Sequence, residues 1–158
     1  MARYGLPSCR TEVLMISSAR LVTALGGRKV FRGRQASYST VVDRVRAGLP
    51  YAALEALAAR FSIPHEAACR LLHIPPRTLA RRKKDRRLRA DESDRLLRLG
   101  RVAARAEEVL GTADKAARWL GKPNRALGGK VPLAQLDTDI GAHQVEEILG
   151  RIAHGLYS

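Results

Sequence analysis

Cysteine, aromatic residues and long apolar runs are all in short supply in this chain, and each shortage excludes something. Cys9 and Cys69 stand alone with no C-x-x-C spacing, so neither a disulfide framework nor a thiolate metal site is expected. Isolated, reduced thiols fit a cytoplasmic protein. Aromatic residues are 4% of the chain and β-branched residues are sparse, which argues against a large sheet. The apolar stretches are only a few residues long, so no membrane span is expected. The Arg-rich, acid-poor N-terminus superficially resembles a transit peptide. It lacks the apolar core of a secretory signal, and no targeting function is expected of it.

Catalytic motifs are missing too. His65, His73, His143 and His154 show no metal-ligand spacing such as H-E-x-x-H. Asp137 and Asp139 fall in a Leu-Asp-Thr-Asp turn, where a capping role outweighs acid–base work. Gly128-Gly129 is not a phosphate loop, because no G-x-x-x-x-G-K-[ST] is present. Glu107-Glu108 and Glu146-Glu147 read as solvated helix faces. No catalytic residue, metal or cofactor is predicted, and binding is favoured over catalysis.

What is present is charge, and it is segregated. Residues 1–90 carry nineteen Lys and Arg against five Asp and Glu, whereas residues 91–158 carry ten of each. Such asymmetry concerns partners rather than fold, and it points to a basic module facing a polyanion beside a neutral module with another task. Ala, Leu and Arg dominate, and all favour helix. The chain is predicted to be all-α, at 158 residues one domain or two small ones.

Apolar periodicity places the helices. Leu14 to Leu25 suggests a short helix or strand stopped at Gly26-Gly27, and Val41, Val42 and Val45 mark another helix ending at Gly48 and Pro50. Leu54, Leu57, Ala58 and Phe61 share one helical face. Ser62 is an N-cap candidate with Pro64 in the following first turn, and a helix containing Ala67, Ala68, Leu71 and Leu72 breaks at His73-Ile74-Pro75-Pro76. A third helix starts near Pro76, with Leu79 inward and Arg77, Arg81, Arg82, Lys83 and Lys84 outward. Asp91 is a cap candidate for a long helix reaching Gly111, and Thr112 for the next one, which holds Ala116, Trp119 and Leu120. Pro132 opens a short helix with Leu133 and Leu136, and Val145, Ile148, Leu149 and Ile152 line the last one before Gly155. Trp119, Leu149 and Ile152 are the predicted core of this half; for Trp119, the alternative is direct contact with a partner.

Residues 62–84 read as a helix-turn-helix, in which small Ala67 and Ala68 let two helices cross closely. The second helix would then enter the major groove with Arg77 and Thr78 nearest the base edges. Arg81, Arg82, Lys83 and Lys84, with Arg86 and Arg87, would meet phosphates. A generic helical hairpin with a solvated cationic face is the alternative.

The C-terminal half resembles a known family. Residues 91–155 are similar to the toxin-binding domain of the MbcA/ParS/Xre antitoxins, through Asp91-Glu92-Ser93-Asp94-Arg95-Leu96, Trp119-Leu120-x-x-Pro123-Asn124, Leu127-Gly128-Gly129-x-x-Pro132-Leu133 and Leu136-x-Thr138-x-x-Gly141. Val145-Glu146, Leu149-Gly150-Arg151-Ile152 and Gly155 continue the pattern, and Gly48-Leu49-Pro50 with Arg77-Thr78-Leu79-Ala80-Arg81-Arg82 extend it into the first half. The resemblance covers roughly residues 20–155. It implies an N-terminal extension over 1–19, expected to be flexible, a DNA-binding region over 20–90 and a toxin-binding domain over 91–158. It also implies a cytoplasmic type II antitoxin that dimerises, binds operator DNA of its own operon, and blocks a RES-domain toxin that consumes NAD or ADP-ribosylates a target. The chain's end, Gly155, Leu156 and Tyr157, would reach the toxin's NAD pocket, with Asn124, Arg125, Leu127, Gly128 and Gly129 as a second contact. A tail folded back on its own domain is one alternative to this contact. A stand-alone transcriptional regulator whose C-terminal domain only dimerises is the alternative function. Operator sequence, toxin target and stoichiometry are not legible in the residues.

Overall fold

One long helix organises the structure, a computed structural model that describes residues 16–31 and 37–155. Helix α6, Ala90–Leu110, is 21 residues long and so spans about 31 Å. Around it pack α1 (Ser18–Ala24), α2 (Tyr38–Ala47), α3 (Tyr51–Phe61), α7 (Ala113–Leu120) and α8 (Asp139–Ala153). Helices α4 (His65–Leu71) and α5 (Pro76–Asp85) form a hairpin beside its N-terminal end. Among the described residues, three 3-10 segments, Gly27–Lys29, Arg125–Leu127 and Pro132–Asp137, accompany them. The described residues contain two isolated β-bridges, Pro50 with Arg87 and Asn124 with Lys130, and no strand. The fold is all-α, as composition and periodicity predicted.

α6 can be surrounded because its buried positions are small as well as large. Leu96, Leu99, Val102, Ala103, Ala104 and Ala106 are all buried. At Gly100, a Cβ would stand 3.1 Å from the Leu25 side chain, so glycine lets α1 lie close against α6. A single buried cluster runs from Ile16 through Leu149, joining the basic half to the neutral half. The extension expected over 1–19 falls mostly outside the described residues. Of its last residues, Ile16 is buried and Ser18 begins α1.

Several helix boundaries differ from the sequence reading for identifiable reasons. Ser62 does not cap α4. It closes α3 in a left-handed conformation at φ 52°, and Pro64 precedes α4 instead. His73 at φ 53° ends the first hairpin helix, with the Ile74 N–H on the Cys69 carbonyl and the His73 N–H on the Arg70 carbonyl. This is a Schellman closure with histidine where glycine is usual. Asp91 does not cap α6 either. Arg89 stands at the cap, and Glu92 reaches back to accept its backbone N–H at 2.8 Å. Thr112 caps α7 as expected, accepting from the Lys115 N–H. Thr138 caps α8, which starts at Asp139.

Arg82 is the largest departure. It was expected to face outward, yet it is 6% exposed. Arg82 lies three residues after fully buried Leu79, so the two share the inward face of α5. Its Nε donates to both carboxylate oxygens of Glu92, itself 5% exposed, at 3.0 and 2.8 Å. The Glu92 bond outweighs burial and raises the guanidinium pKa further, so Arg82 stays charged. Ser93, the next residue, accepts the Leu49 N–H at 2.8 Å and donates to the Arg89 carbonyl at 2.6 Å. Breaking the pair leaves a buried charge alone. Arg82→Ala or Glu92→Ala is expected to cost about 3–5 kcal/mol in denaturant unfolding. The Arg82→Met/Glu92→Leu double variant should recover all but about 1 kcal/mol, the share of the lost cap bond. Single variants that unfold like the parent would refute a structural role for the pair.

Candidate nucleic-acid and partner surfaces

α5 presents a dense cationic surface. Pro76 opens it and fully buried Leu79 anchors it to the body. Of the six predicted DNA contacts, Arg77, Arg81, Lys83 and Lys84 are exposed, and Thr78 is half-buried at the N-terminal turn. Arg82 is withdrawn from that set by its bond to Glu92. Lys83 also sits 3.4 Å from Glu55, an exposed pair of little energetic weight. Among the described residues no carboxylate pairs with Arg77, Arg81 or Lys84. Arg87 is used locally, donating from Nε to the Gly48 carbonyl at 3.2 Å. The hairpin is held from behind: Arg95 donates to the Leu72 carbonyl at 3.0 Å, and His73 Nε2 lies 2.8 Å from the Asp137 carbonyl. The second helix is thus oriented by both halves of the chain.

The second surface lies past the other end of α6. A cleft of about 560 Å³ is lined by Leu110, Lys115, Arg118, Trp119, Lys122, Pro123, Asn124 and Arg125. Trp119 is half-buried, so it packs against the core from the core's edge rather than inside it. Leu149 is fully buried, and Ile152 is half-buried. The loop after α7 is built around Asn124. Its side chain accepts the Ala126 N–H at 2.9 Å, its N–H donates to the Lys130 carbonyl at 2.9 Å, and its own carbonyl receives the Leu127 and Gly129 N–H groups. Asn124 is therefore buried and structural, although it borders the cleft. Gly128 at φ 64° and Gly129 at φ 82° take backbone conformations that L side chains avoid, which lets the loop close.

The predicted partner contacts are thus divided. Arg125 faces the cleft, half-buried Leu127 turns toward Ile148 and Arg151 on the other side, and Gly128, Gly129 and Gly155 are exposed. Leu156 and Tyr157 lie outside the described residues. Lys115, Arg118 and Lys122 escaped the sequence reading. The signal was available: with Trp119 they fall at i, i+3, i+4 and i+7, one stripe of a helix. Among the described residues no helix is long and apolar enough to cross a membrane.

The architecture defines an all-α protein with a helix-turn-helix followed by a second helical region. Comparison with known proteins gives the family. Residues 40–101 match the antitoxin Xre-like helix-turn-helix domain, and residues 105–155 match the antitoxin Xre/MbcA/ParS C-terminal toxin-binding domain. Antitoxin Xre of Yersinia enterocolitica is 35% identical over 129 residues, covering 80% of this chain and 87% of the relative. Antitoxin Xre of Pseudomonas putida is 49% identical over 83 residues, and that of Photorhabdus laumondii 46% over 70 residues. These two matches span about half the length of each relative, 52% and 47%. The chain belongs to the Xre antitoxin family, as its motifs implied.

Half-burial sets the expected weight of Trp119. A fully buried Trp→Ala change costs about 3–5 kcal/mol, so Trp119→Ala should cost roughly 2 kcal/mol in denaturant unfolding. A loss near the full core value would place the indole inside the core instead.

Proposed function

We propose that this protein is a non-enzymatic, cytoplasmic antitoxin of a type II pair. It binds and inhibits a RES-domain toxin that consumes NAD or uses it to ADP-ribosylate a target. As a homodimer it also represses its own operon. The observation that carries this reading is the tandem of matched domains, helix-turn-helix then toxin-binding, on one chain whose cationic surface is concentrated in the first. The exposure of Arg77, Arg81, Lys83 and Lys84 supports the proposed DNA roles. Arg77 and Thr78, at the start of α5, read base edges, while Arg81, Lys83 and Lys84 neutralise phosphates. In a dimer, two copies of α5 would meet half-sites one helical turn apart, about 34–36 Å. The C-terminal domain, with Gly155, Leu156 and Tyr157, closes the toxin's NAD pocket.

The reading is tested by co-expression with the neighbouring gene product. A RES-type neighbour should co-purify with the full chain and lose its NAD-dependent activity. A chain that binds its operator but captures no toxin would be a stand-alone regulator. On the DNA side, Arg77→Ala should cost about 1–3 kcal/mol of operator affinity and relax sequence preference. Lys84→Ala should weaken binding to all sequences alike and lower the salt slope by about 1. Titrations across a salt series measure both, and an Arg77 variant with parental operator affinity would remove α5 from the groove.

A further inference from the structure

We propose that the cleft between α7 and the Asn124–Lys130 loop is a docking site for an acidic segment of the toxin, one carrying an apolar or aromatic side chain that seats on Trp119. This rests on the toxin-binding reading above and names the surface and chemistry of that contact.

Charge pairing carries the inference. The C-terminal half is neutral in sum, but its ion pairs are unevenly spread. Each arginine of α6 has an acid: Arg95 with Asp91, Arg98 with Asp139, Arg101 with Glu146, and Arg105 with Glu108. Lys115, Arg118, Lys122 and Arg125 all line the cleft, and among the described residues none has an ion-pair partner. Asp114, four residues before Arg118, forms no pair with it. The cleft therefore gathers four uncompensated cations around an indole, with Leu110 and Pro123 as further apolar walls. Cations able to pair with carboxylates around an apolar centre suit an acidic chain with one apolar anchor.

The site is also pre-formed. The Thr112 cap fixes the start of α7, and the Asn124 hydrogen bonds fix the loop opposite. A rigid site loses little conformational entropy when it is filled. Its size fits a few side chains rather than a nucleic-acid groove tracking many phosphates. It lies past the C-terminal end of α6, whereas α5 is tied to the N-terminal end through Arg82 and Glu92. About 31 Å of helix separates the two ends, so the cleft and the α5 face can be occupied together.

The test uses the full chain, the purified cognate toxin, operator duplex and random-sequence duplex. Arg118→Glu/Lys122→Glu changes two exposed side chains. It should lower toxin affinity about tenfold or more and flatten its salt dependence, leaving melting and operator affinity unchanged. Trp119→Phe, which keeps an aromatic wall, should retain most of the toxin affinity. Because Trp119 is the sole tryptophan, 5-fluorotryptophan labelling of this chain gives one 19F resonance. That resonance should move on adding toxin and stay put on adding operator. Parental toxin affinity in the double variant, or an unmoved resonance in a formed complex, overturns the cleft while the antitoxin reading stands. Loss of affinity for random duplex with toxin binding intact would make the occupant a nucleic acid and overturn it too. A parent chain that binds no toxin overturns the antitoxin reading, and the cleft proposal falls with it.

Discussion

The Arg82–Glu92 pair is the constraint that sets where the basic surface stands. Glu92 accepts from the Arg82 guanidinium and from the Arg89 backbone N–H, so one carboxylate both holds α5 and starts α6. Ser93 extends the junction to Leu49, and Leu88 donates to the Leu49 carbonyl at 2.9 Å. Tyr51 donates to the Arg86 carbonyl at 3.0 Å, so the chain leaving α5 is bonded to the start of α3. A buried pair is seldom worth more in net stability than a well-packed apolar one. Its effect here is geometric. Arg82 Nε bonds a carboxylate that is itself fixed by a cap, and α5 cannot rotate without uncovering both charges.

That same pair marks where sequence reasoning reached its limit. Helix identity was legible where apolar spacing is strict, at 54, 57, 58 and 61, at 96, 99, 102 and 103, and at 145, 148, 149 and 152, whereas Leu14 to Leu25 allowed helix or strand. Helix ends were harder. Three of them close on left-handed residues that are not glycine, namely Ser62, His73 and Arg86, and the usual glycine signal is missing. Ser62 then looked like the start of the next helix. Arg82 was misplaced because a run of four basic residues, 81–84, hides which one shares a face with Leu79. Its acid partner stands ten residues away on another helix, where local periodicity carries no information.

The candidate surfaces were unevenly legible for a related reason. α5 stands out in the sequence because its cations are consecutive and unbalanced. The α7 cleft does not, because its four cations are averaged against acids that the fold employs elsewhere, on α6 and α8. A net charge of zero over residues 91–158 is thus compatible with a strongly cationic spot once ion pairing has removed the other charges. Asn124 shows the converse situation. As a polar residue in a loop with two glycines it suggests a partner contact, while its buried side chain and both backbone groups serve the loop's own closure.

The relation between the two surfaces follows from the core they share. One buried cluster runs from α1 to α8, and α6 passes uninterrupted between the two ends. Coupling between two sites requires each ligand to favour one of two arrangements of the same element. A continuous helix with most of its faces packed supplies no second arrangement, since close-packed interiors resist graded deformation. The α5 surface therefore keeps the orientation that Arg82 and Glu92 give it, whatever stands at the far end of α6.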